Sequence, residues 1–376
     1  MPAPPIVVVG AGPAGLAVAA CLRRAGLESV ILEQADTVGS TWRRHYDRLH
    51  LHTDKGHSAL PFVPLPKGSP RYVSRDELVN YLDAYARGFA LDIRLEQRVT
   101  SIERGEAGWR VRTPVDAFET THVVVATGNA RIPVVPTWPG VDDFRGRVEH
   151  CSDYRNGREY AGQRVLVVGF GNSGGEIAID LHEHGAHPAL SVRSAVNVIP
   201  KEVLGLPILT IGIAQRRLPS AVADAMNAPV LRMTVGDITK VGLRKLPYGP
   251  ATQIEKDKHI PLIDIGTMKL IRSGDVTVHG GVERFTTDGV VFDDGATAQF
   301  DAVILATGYR PRVDEFVPDP ATYDAAGTPL TTGVESAAPG LYYCGFHVSP
   351  TGMLREIGIE ARSIADAIAA QRGRRV

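Results

Sequence analysis

Apolar positions in this chain come in two kinds of run. Short blocks of consecutive Val, Ile, Leu and Ala end abruptly in Gly, Glu or Arg, while longer segments repeat apolar positions at helical spacing. The short blocks predict strands buried on both faces, the pattern of a parallel sheet covered by helices. Ile6–Val9 is the first. Ala14–Ala25 follows as a helix stopped by Gly26, and Val30–Leu32 is a second strand ending in Glu33, which completes one β-α-β unit. A loop rich in His, Asp, Gly and Pro covers 39–70. Ser74-Arg75-Asp76-Glu77 predicts a capping box that opens a helix reaching about Arg87. Leu91–Leu95, Val99–Ile102 and Trp109–Arg112 predict a small antiparallel unit, and His122–Ala126 predicts another buried strand.

The pattern then begins again, as a diverged large-scale duplication would. Val165–Val168 predicts a strand, Gly174–His184 a helix, and Ala189–Val192 a strand ending in Arg193. Residues 204–246 mix apolar runs with scattered basic residues and predict a mostly helical insertion. Ile263–Ile271, Val276–Val278 and Gly289–Phe292 predict strand-like pieces, Ala302–Ala306 a buried strand, Leu341–Cys344 a late strand and Leu354–Ala370 a final helix. The expected fold class is α/β, with two Rossmann-like dinucleotide-binding domains, the second inserted into the first. The expected boundaries are 1–155 and 300–376 for the outer domain and 156–299 for the inserted one.

Two glycine loops carry the chemistry. Gly10-Ala11-Gly12-Pro13-Ala14-Gly15 matches G-x-G-x-x-G between a strand and a helix, with Glu33 eighteen residues past Gly15. The glycines permit a tight turn, a backbone close to a pyrophosphate, and close packing of helix on strand. The helix N-terminus then offers free N–H groups to the phosphates, and Glu33 can accept both ribose hydroxyls. Gly169-Phe170-Gly171-Asn172-Ser173-Gly174 repeats the pattern, but Arg193, nineteen residues past Gly174, stands where an acid would be. A guanidinium there pairs with a 2′-phosphate, so the second site is expected to prefer NADPH to NADH. The first site could hold NAD or FAD. FAD is favoured, because a flavin facing a nicotinamide has electrons to exchange. Ala126-Thr127-Gly128 and Ala306-Thr307-Gly308 bring chain crossings beside the two halves, and Gly345-Phe346 with the final helix could place another helix start near a bound ring.

Composition narrows this little further. A chain of 376 residues with 44% hydrophobic and 22% charged residues fits an ordinary soluble protein of two or three domains. A net charge of −1 gives no reason to expect nucleic acid, and the one basic end is short, Arg374-Arg375. Cys21, Cys151 and Cys344 are far apart with no C-x-x-C, which excludes a disulfide scaffold and a dithiol-exchange centre and suits a reducing, cytoplasmic setting. Met1–Pro5 carries no basic and apolar leader pattern, and no apolar run of about 18 residues predicts a membrane span. His50 and His52 make an H-x-H pair with no third ligand at suitable spacing, so no metal is expected. The segment Pro207–Val235 could cap a substrate entrance, pack in a homodimer or lie on a membrane surface, the last being the least expected.

Between the glycine loops, Phe144, Gly146, His150 and Tyr154 fit F-x-G-x-x-x-H-x-x-x-Y. With this pattern the chain resembles the flavin-containing monooxygenases, and within them the plant YUCCA type. The resemblance covers roughly residues 5–370. It includes Gly39-Ser40-Thr41-Trp42, Tyr46 to His52, Leu305 to Arg310 and Gly340 to Phe346. It departs where many members carry Asn, because this chain has Thr53-Asp54-Lys55, and the Baeyer–Villiger signature is not completed after Tyr46. His150 is expected to be a hydrogen-bonded structural histidine.

The resemblance implies an FAD- and NADPH-dependent monooxygenase that uses dioxygen. It implies a C4a-(hydro)peroxyflavin that passes one oxygen atom to a small organic substrate. A carbonyl or 2-oxo acid such as indole-3-pyruvate, oxidatively decarboxylated, ranks first, and N- or S-oxygenation second. An NADPH oxidase, a flavin reductase or a redox-sensing flavoprotein remains as another class. The candidate flavin-site residues are Gly10, Gly12, Pro13, Ala14, Gly15, Glu33, Gln34, Thr41, Trp42, Leu51, His52, Val99, Ala126, Thr127, Gly128, Gly345 and Phe346. Those for NADPH are Gly169, Gly171, Asn172, Ser173, Gly174, Arg193, Ser194, Ala306, Thr307, Gly308 and Tyr309. Asp54, Lys55 and Asn172 are the catalytic candidates, and Lys55, Arg43 or Arg44 could attract a carboxylate.

Overall fold

The structure, a computed structural model, describes residues 5–106 and 108–373. Met1–Pro4 and Arg374–Val376, on which the leader and basic-tail expectations bear, lie outside these residues. The first unit runs β1 (Ile6–Val9), α1 (Pro13–Arg24), β2 (Ser29–Leu32), α2 (Ser40–Arg44), α3 (Arg75–Gly88), β3 (Asp92–Arg94), then β4 (Ser101–Gly105), β5 (Gly108–Arg112) and β6 (Ala117–Thr120), and β7 (Val123–Val125). The chain then crosses through β8 (Ile132–Pro133) and β9 (Arg147–His150). The second unit runs β10 (Arg164–Val168), α4 (Asn172–Glu183) and β11 (His187–Ser191). Its insertion holds β12 (Val198–Pro200), β13 (Glu202–Val203), β14 (Leu206–Pro207), α5 (Ile208–Gln215), α6 (Ser220–Thr234) and α7 (Pro250–Asp257). After it come β15 (Leu262–Asp264), α8 (Thr267–Ser273), β16 (Thr277–His279), β17 (Val282–Thr286), β18 (Gly289–Phe292), β19 (Thr297–Gln299), β20 (Ala302–Leu305) and β21 (Tyr309–Arg310). The chain closes with β22 (Leu341–Tyr343) and α9 (Met353–Gly373).

Two parallel five-stranded sheets result, ordered β22-β7-β1-β2-β3 and β16-β11-β10-β20-β9. Reading β3-β2-β1-β7 against β16-β11-β10-β20 shows the same winding twice. In both, an antiparallel three-stranded meander, β4-β5-β6 or β17-β18-β19, stands between the third strand and the fourth. The duplication therefore extends well beyond the glycine loops. Each sheet adds a fifth strand from elsewhere in the chain, β22 from the C-terminal end and β9 from before the second unit.

Three expectations are corrected. Leu91–Leu95 does not join the antiparallel unit; β3 pairs parallel with β2 and edges the first sheet. Ile263–Ile271 is not one strand. Asp264 accepts hydrogen bonds from the Gly266 and Met268 amides, Gly266 turns the chain at φ +134°, and α8 begins. The expected boundaries at 155 and 300 cut the second sheet, since β9 and β20 both belong to it. An apolar run such as Ala302–Leu305 suits either sheet, and only its pairing with β10 decides.

Glycine and capping signals act locally as expected. Ser74 accepts from the Glu77 amide and Glu77 bonds back to the Ser74 amide, so α3 starts where the sequence places it. α9 buries Leu354, Ile357, Ala361, Ile364, Ala365 and Ile368 against the α1 side of the first core. Each fully buried Leu or Ile there contributes about 1.5–3 kcal/mol. This packing brings the start of α9 to the first glycine loop. Among the described residues no helix is long and apolar enough to cross a membrane.

The F-x-G-x-x-x-H-x-x-x-Y residues build the edge of the second sheet. A methyl group on Gly146 would lie 2.5 Å from the Asp301 carbonyl oxygen and 2.5 Å from the Phe144 ring. His150 Nε2 faces the Gly308 carbonyl at 3.1 Å, and burial pushes its pKa down although that carbonyl opposes the shift. Tyr154 donates to Asp180 Oδ2 at 2.5 Å, and the Gly157 amide donates to the same oxygen at 2.9 Å. Tyr154→Phe is therefore expected to lower folding stability by about 1–3 kcal/mol, read from the urea midpoint, because it takes a partner from a buried carboxylate.

Candidate active site

Gly10 has φ +105°, and a Cβ on it would stand 2.9 Å from the Ala126 carbonyl oxygen. A Cβ on Gly15 would collide with the Gly10 carbonyl oxygen. Gly12 is different. It has extended backbone at the N-cap of α1, no side chain caps the helix, and an added Cβ would meet nothing within 4 Å. The loop thus locks helix to strand at two glycines and leaves the third open towards a ligand, beside N–H groups that carry partial positive charge.

That open side faces a cavity of about 360 Å³. Of the flavin-site candidates, Gly10, Gly12, Pro13, Ala14, Glu33, Gln34, Thr41, Trp42, Leu51, Val99, Ala126, Thr127, Gly128 and Gly345 line it. Gly15 does not; it packs α1 on β1. Phe346 does not either; it packs in the core edge-on to Tyr343. Glu33 sits at the cavity with its carboxylate accepting from the Ala11 amide at 2.7 Å and the Ala35 amide at 3.0 Å. Thr127 Oγ1 is buried with no hydrogen-bond partner among the described residues. The open Gly12 face, the free start of α1 and this orphaned hydroxyl together fit a flavin dinucleotide. The cavity also uses residues the sequence reading missed, among them Arg98, Asn129, Arg131, Phe316 and Ile357. Asn129 and Arg131 directly follow Ala126-Thr127-Gly128, so extending that crossing would have found them. His45 lines the cavity too, and burial, then Arg75, Arg155 and Arg44, lower its pKa to about 4, so it is neutral at pH 7.

The second loop copies the first. Gly169 has φ +116° against the Ala306 carbonyl, a Cβ on Gly174 would collide with the Gly169 carbonyl oxygen, and Gly171 opens onto nothing within 4 Å. Gly171 is the N-cap of α4, again without a side-chain cap. At the end of β11 Arg193 and Ser194 are exposed, and Arg193 forms no ion pair among the described residues. Arg244 donates to the Arg193 carbonyl, which sets a second exposed guanidinium against the Arg193 backbone. This pair and the open Gly171 face fit a phosphorylated nicotinamide dinucleotide. Thr307 donates to the Val134 carbonyl at 2.5 Å, and the Tyr309 ring stands edge-on to His150 at 5.0 Å, so both tie the crossing down.

The three catalytic candidates all make contacts within the fold. Asp54 caps a short turn, accepting from the Gly56 amide at 2.9 Å, from Thr210 at 3.3 Å and facing His57 Nδ1 at 2.9 Å. Burial pushes its pKa up, but the contacts from His57, Gly56 and Thr210 outweigh this and the net shift is downward. Lys55 donates to the Ser69 and Lys67 carbonyls at 2.6 and 3.0 Å. Asn172 accepts from the Ile263 amide at 2.8 Å, fastening β15 to the second loop. Neither Asp54 nor Lys55 lines the cavity, and Thr53 does instead. Arg43 is held by Asp83 at 2.6 Å, whereas Arg44 reaches the cavity wall.

His52 also leaves the cavity and joins the seam between the two units. Its Nε2 lies 2.9 Å from Glu176 Oε1, one turn into α4, though the two are not aligned as a hydrogen bond. Nearby, Arg48 pairs with Glu183, and the buried Tyr46 side chain lies beside Ser173. The loop 46–54 therefore has one side on the flavin cavity and the other on the second glycine helix. Two dinucleotides held by these loops would approach each other across it.

Comparison with known proteins agrees with this arrangement. A family profile described as pyridine nucleotide-disulphide oxidoreductase matches residues 7–203. The chain is 41% identical over 321 residues to indole-3-pyruvate monooxygenase YUCCA1 of Oryza sativa subsp. japonica, covering 84% of this chain and 79% of that one. It is 39% identical over 355 residues to indole-3-pyruvate monooxygenase YUCCA6 of Arabidopsis thaliana, covering 90% and 85%. Among solved structures, the flavin-containing monooxygenase from Stenotrophomonas maltophilia superposes with TM-score 0.74 at 22% identity, over 99% of this chain and 100% of that one. Cyclohexanone monooxygenase from Rhodococcus sp. Phi1 bound to NADP+ gives 0.75 at 20% identity, over 99% and 85%.

The open glycines separate binding from folding. Gly12→Ala and Gly171→Ala are expected to leave the urea midpoint within about 1 kcal/mol of the wild type, since neither methyl group meets an atom. Gly12→Ala is expected to yield protein without bound flavin. Gly171→Ala is expected to keep its flavin absorbance and raise the Michaelis constant for NADPH at least about tenfold.

Proposed function

The chain belongs to the flavin-containing monooxygenase family, YUCCA type, as an FAD- and NADPH-dependent monooxygenase, and we propose that its substrate is a 2-oxo acid with an apolar body, indole-3-pyruvate first. The activity shared by the plant relatives carries this reading. A bound flavin would supply the redox chemistry, accepting hydride from NADPH and delivering one atom of dioxygen while the other leaves as water, and a 2-oxo acid oxidised in this way would lose CO₂.

The protein's own part is binding, orientation and exclusion of water. The start of α1 and the bare Gly12 backbone hold the flavin pyrophosphate, and Glu33 takes its ribose hydroxyls. The Thr127 hydroxyl hydrogen-bonds the flavin, and Leu51, Trp42, Leu354 and Ile357 give the cavity an apolar wall that keeps water away. The start of α4 and Gly171 hold the NADPH pyrophosphate, and Arg193 with Arg244 takes the 2′-phosphate. The flavin unit is then the sheet containing β1 and β22, and the NADPH unit the sheet from β9 to β20 with its insertion. The three free, buried cysteines suit a reducing cytoplasm.

Purified protein supplied with NADPH and air is expected to convert indole-3-pyruvate to indole-3-acetate with NADPH consumed one for one, followed by mass spectrometry. Faster conversion of a tertiary amine or a thioether to its oxide would contradict the substrate reading. Arg193→Gln is expected to shrink the ratio of kcat/KM for NADPH over NADH roughly tenfold to a hundredfold, the scale of one charge-assisted phosphate contact. An unchanged ratio would remove Arg193 from that role.

A further inference from the structure

At the seam between the units Lys201 forms no salt bridge among the described residues and rests on an aromatic ring. Lys201 follows β12, at the C-terminal end of a parallel pair whose other strand, β15, is fastened to the second glycine loop by Asn172. Ligands in parallel α/β folds gather at such strand ends. The Lys201 ammonium stands 3.8 Å from the centre of the Tyr72 ring and makes no hydrogen bond or salt bridge among the described residues. Two carboxylates lie near it, Glu202 held by other groups and Glu176 facing His52 without an aligned hydrogen bond. Glu202 accepts from the Tyr72 hydroxyl at 2.7 Å and pairs with Arg71 at 3.1 Å. Burial, then Arg48, pulls the Lys201 pKa down against the pull of Glu176 and Glu202, as expected of a half-buried ammonium short of a partner.

The surroundings define what would complete it. α5 lies over the same seam. Thr210 donates to Asp54, next to the cavity-lining Thr53, and Gly212 packs so close to the loop 347–352 that a Cβ there would stand 2.9 Å from the Pro350 carbonyl oxygen. α5 carries Ile208, Leu209, Ile211 and Ile213, yet none of its residues is fully buried. A half-exposed aliphatic wall beside an unsatisfied cation suits a small molecule with an apolar body and an anionic head.

We propose that Lys201 receives the carboxylate of the substrate, so that the enzyme selects 2-oxo acids over neutral ketones of the same shape. This rests on the substrate reading above and extends it to a residue. The carboxylate replaces water lost by the buried ammonium, and the α5 wall takes the apolar body. Lys201 here is a binding and specificity residue, not a proton donor.

The test uses the FAD-loaded enzyme and a matched pair, indole-3-pyruvate and indole-3-acetone, whose affinities are read from the perturbation of flavin absorbance. Wild-type enzyme is expected to bind the acid more tightly. Lys201→Met is expected to reduce that preference about tenfold or more, and Lys201→Arg to retain most of it. A wild-type enzyme that binds the acid no better than the ketone overturns the substrate reading and this inference with it. Wild-type preference for the acid that Lys201→Met leaves intact overturns this inference alone. A variant whose only change is a raised Michaelis constant for NADPH also overturns it, because the anion met by Lys201 would then be a cofactor phosphate.

Discussion

The architecture depends on a backbone contact that one methyl group would block. In each unit the third glycine of the loop lies against the carbonyl of the first, so that α1 on β1, and α4 on β10, sit closer than any side chain permits. That approach aims the start of each helix, and its unpaired N–H groups, at the one point in the loop left bare. The middle glycine is not needed for packing in either loop. Its freedom leaves room for a ligand, so within six residues two glycines serve packing and one stays open.

Repeating this device yields two equal sites, and their use depends on how they face each other. The loop 46–54 mediates that relation. Leu51 and Thr53 line the flavin cavity, while His52 between them contacts Glu176 on α4 and Tyr46 reaches Ser173. The chain turns at Asp47 and Arg48 and bends at His52 and Thr53, so one short stretch can touch both sites. Arg155 adds to the fastening by donating to the Arg43 and His45 carbonyls. The seam is polar and charged where the cavity wall is apolar, and Lys201 stands in the seam against the Tyr72 ring.

What could be read from the sequence was what short-range chemistry decides. Glycine spacing, the Ser74–Glu77 capping box and the apolar block β10 each obey rules that act within a few residues, and each stands where expected. The F-x-G-x-x-x-H-x-x-x-Y residues were recognisable as a pattern, yet their role as the edge of the second sheet emerges only with Asp301, Gly308 and Asp180 brought beside them. Ile263–Ile271 misled because its apolar content is high, while Asp264 and Gly266 supply a cap and a turn that content alone does not weigh. Asp54 stands where many family members carry Asn and Lys55 is a cation that could attract a carboxylate, yet the fold engages both with loop carbonyls, amides and Thr210. Lys201 is not legible in the sequence because its place on the Tyr72 ring joins segments more than a hundred residues apart.

The central claim is that a nicotinamide held at the second glycine loop delivers its electrons across this seam to a flavin held at the first. Mixing the FAD-loaded protein with one equivalent of NADPH in the absence of oxygen tests it most directly. The account predicts that the visible absorbance of the oxidised flavin bleaches in a single turnover, faster with NADPH than with NADH. A flavin that stays oxidised under these conditions would contradict it.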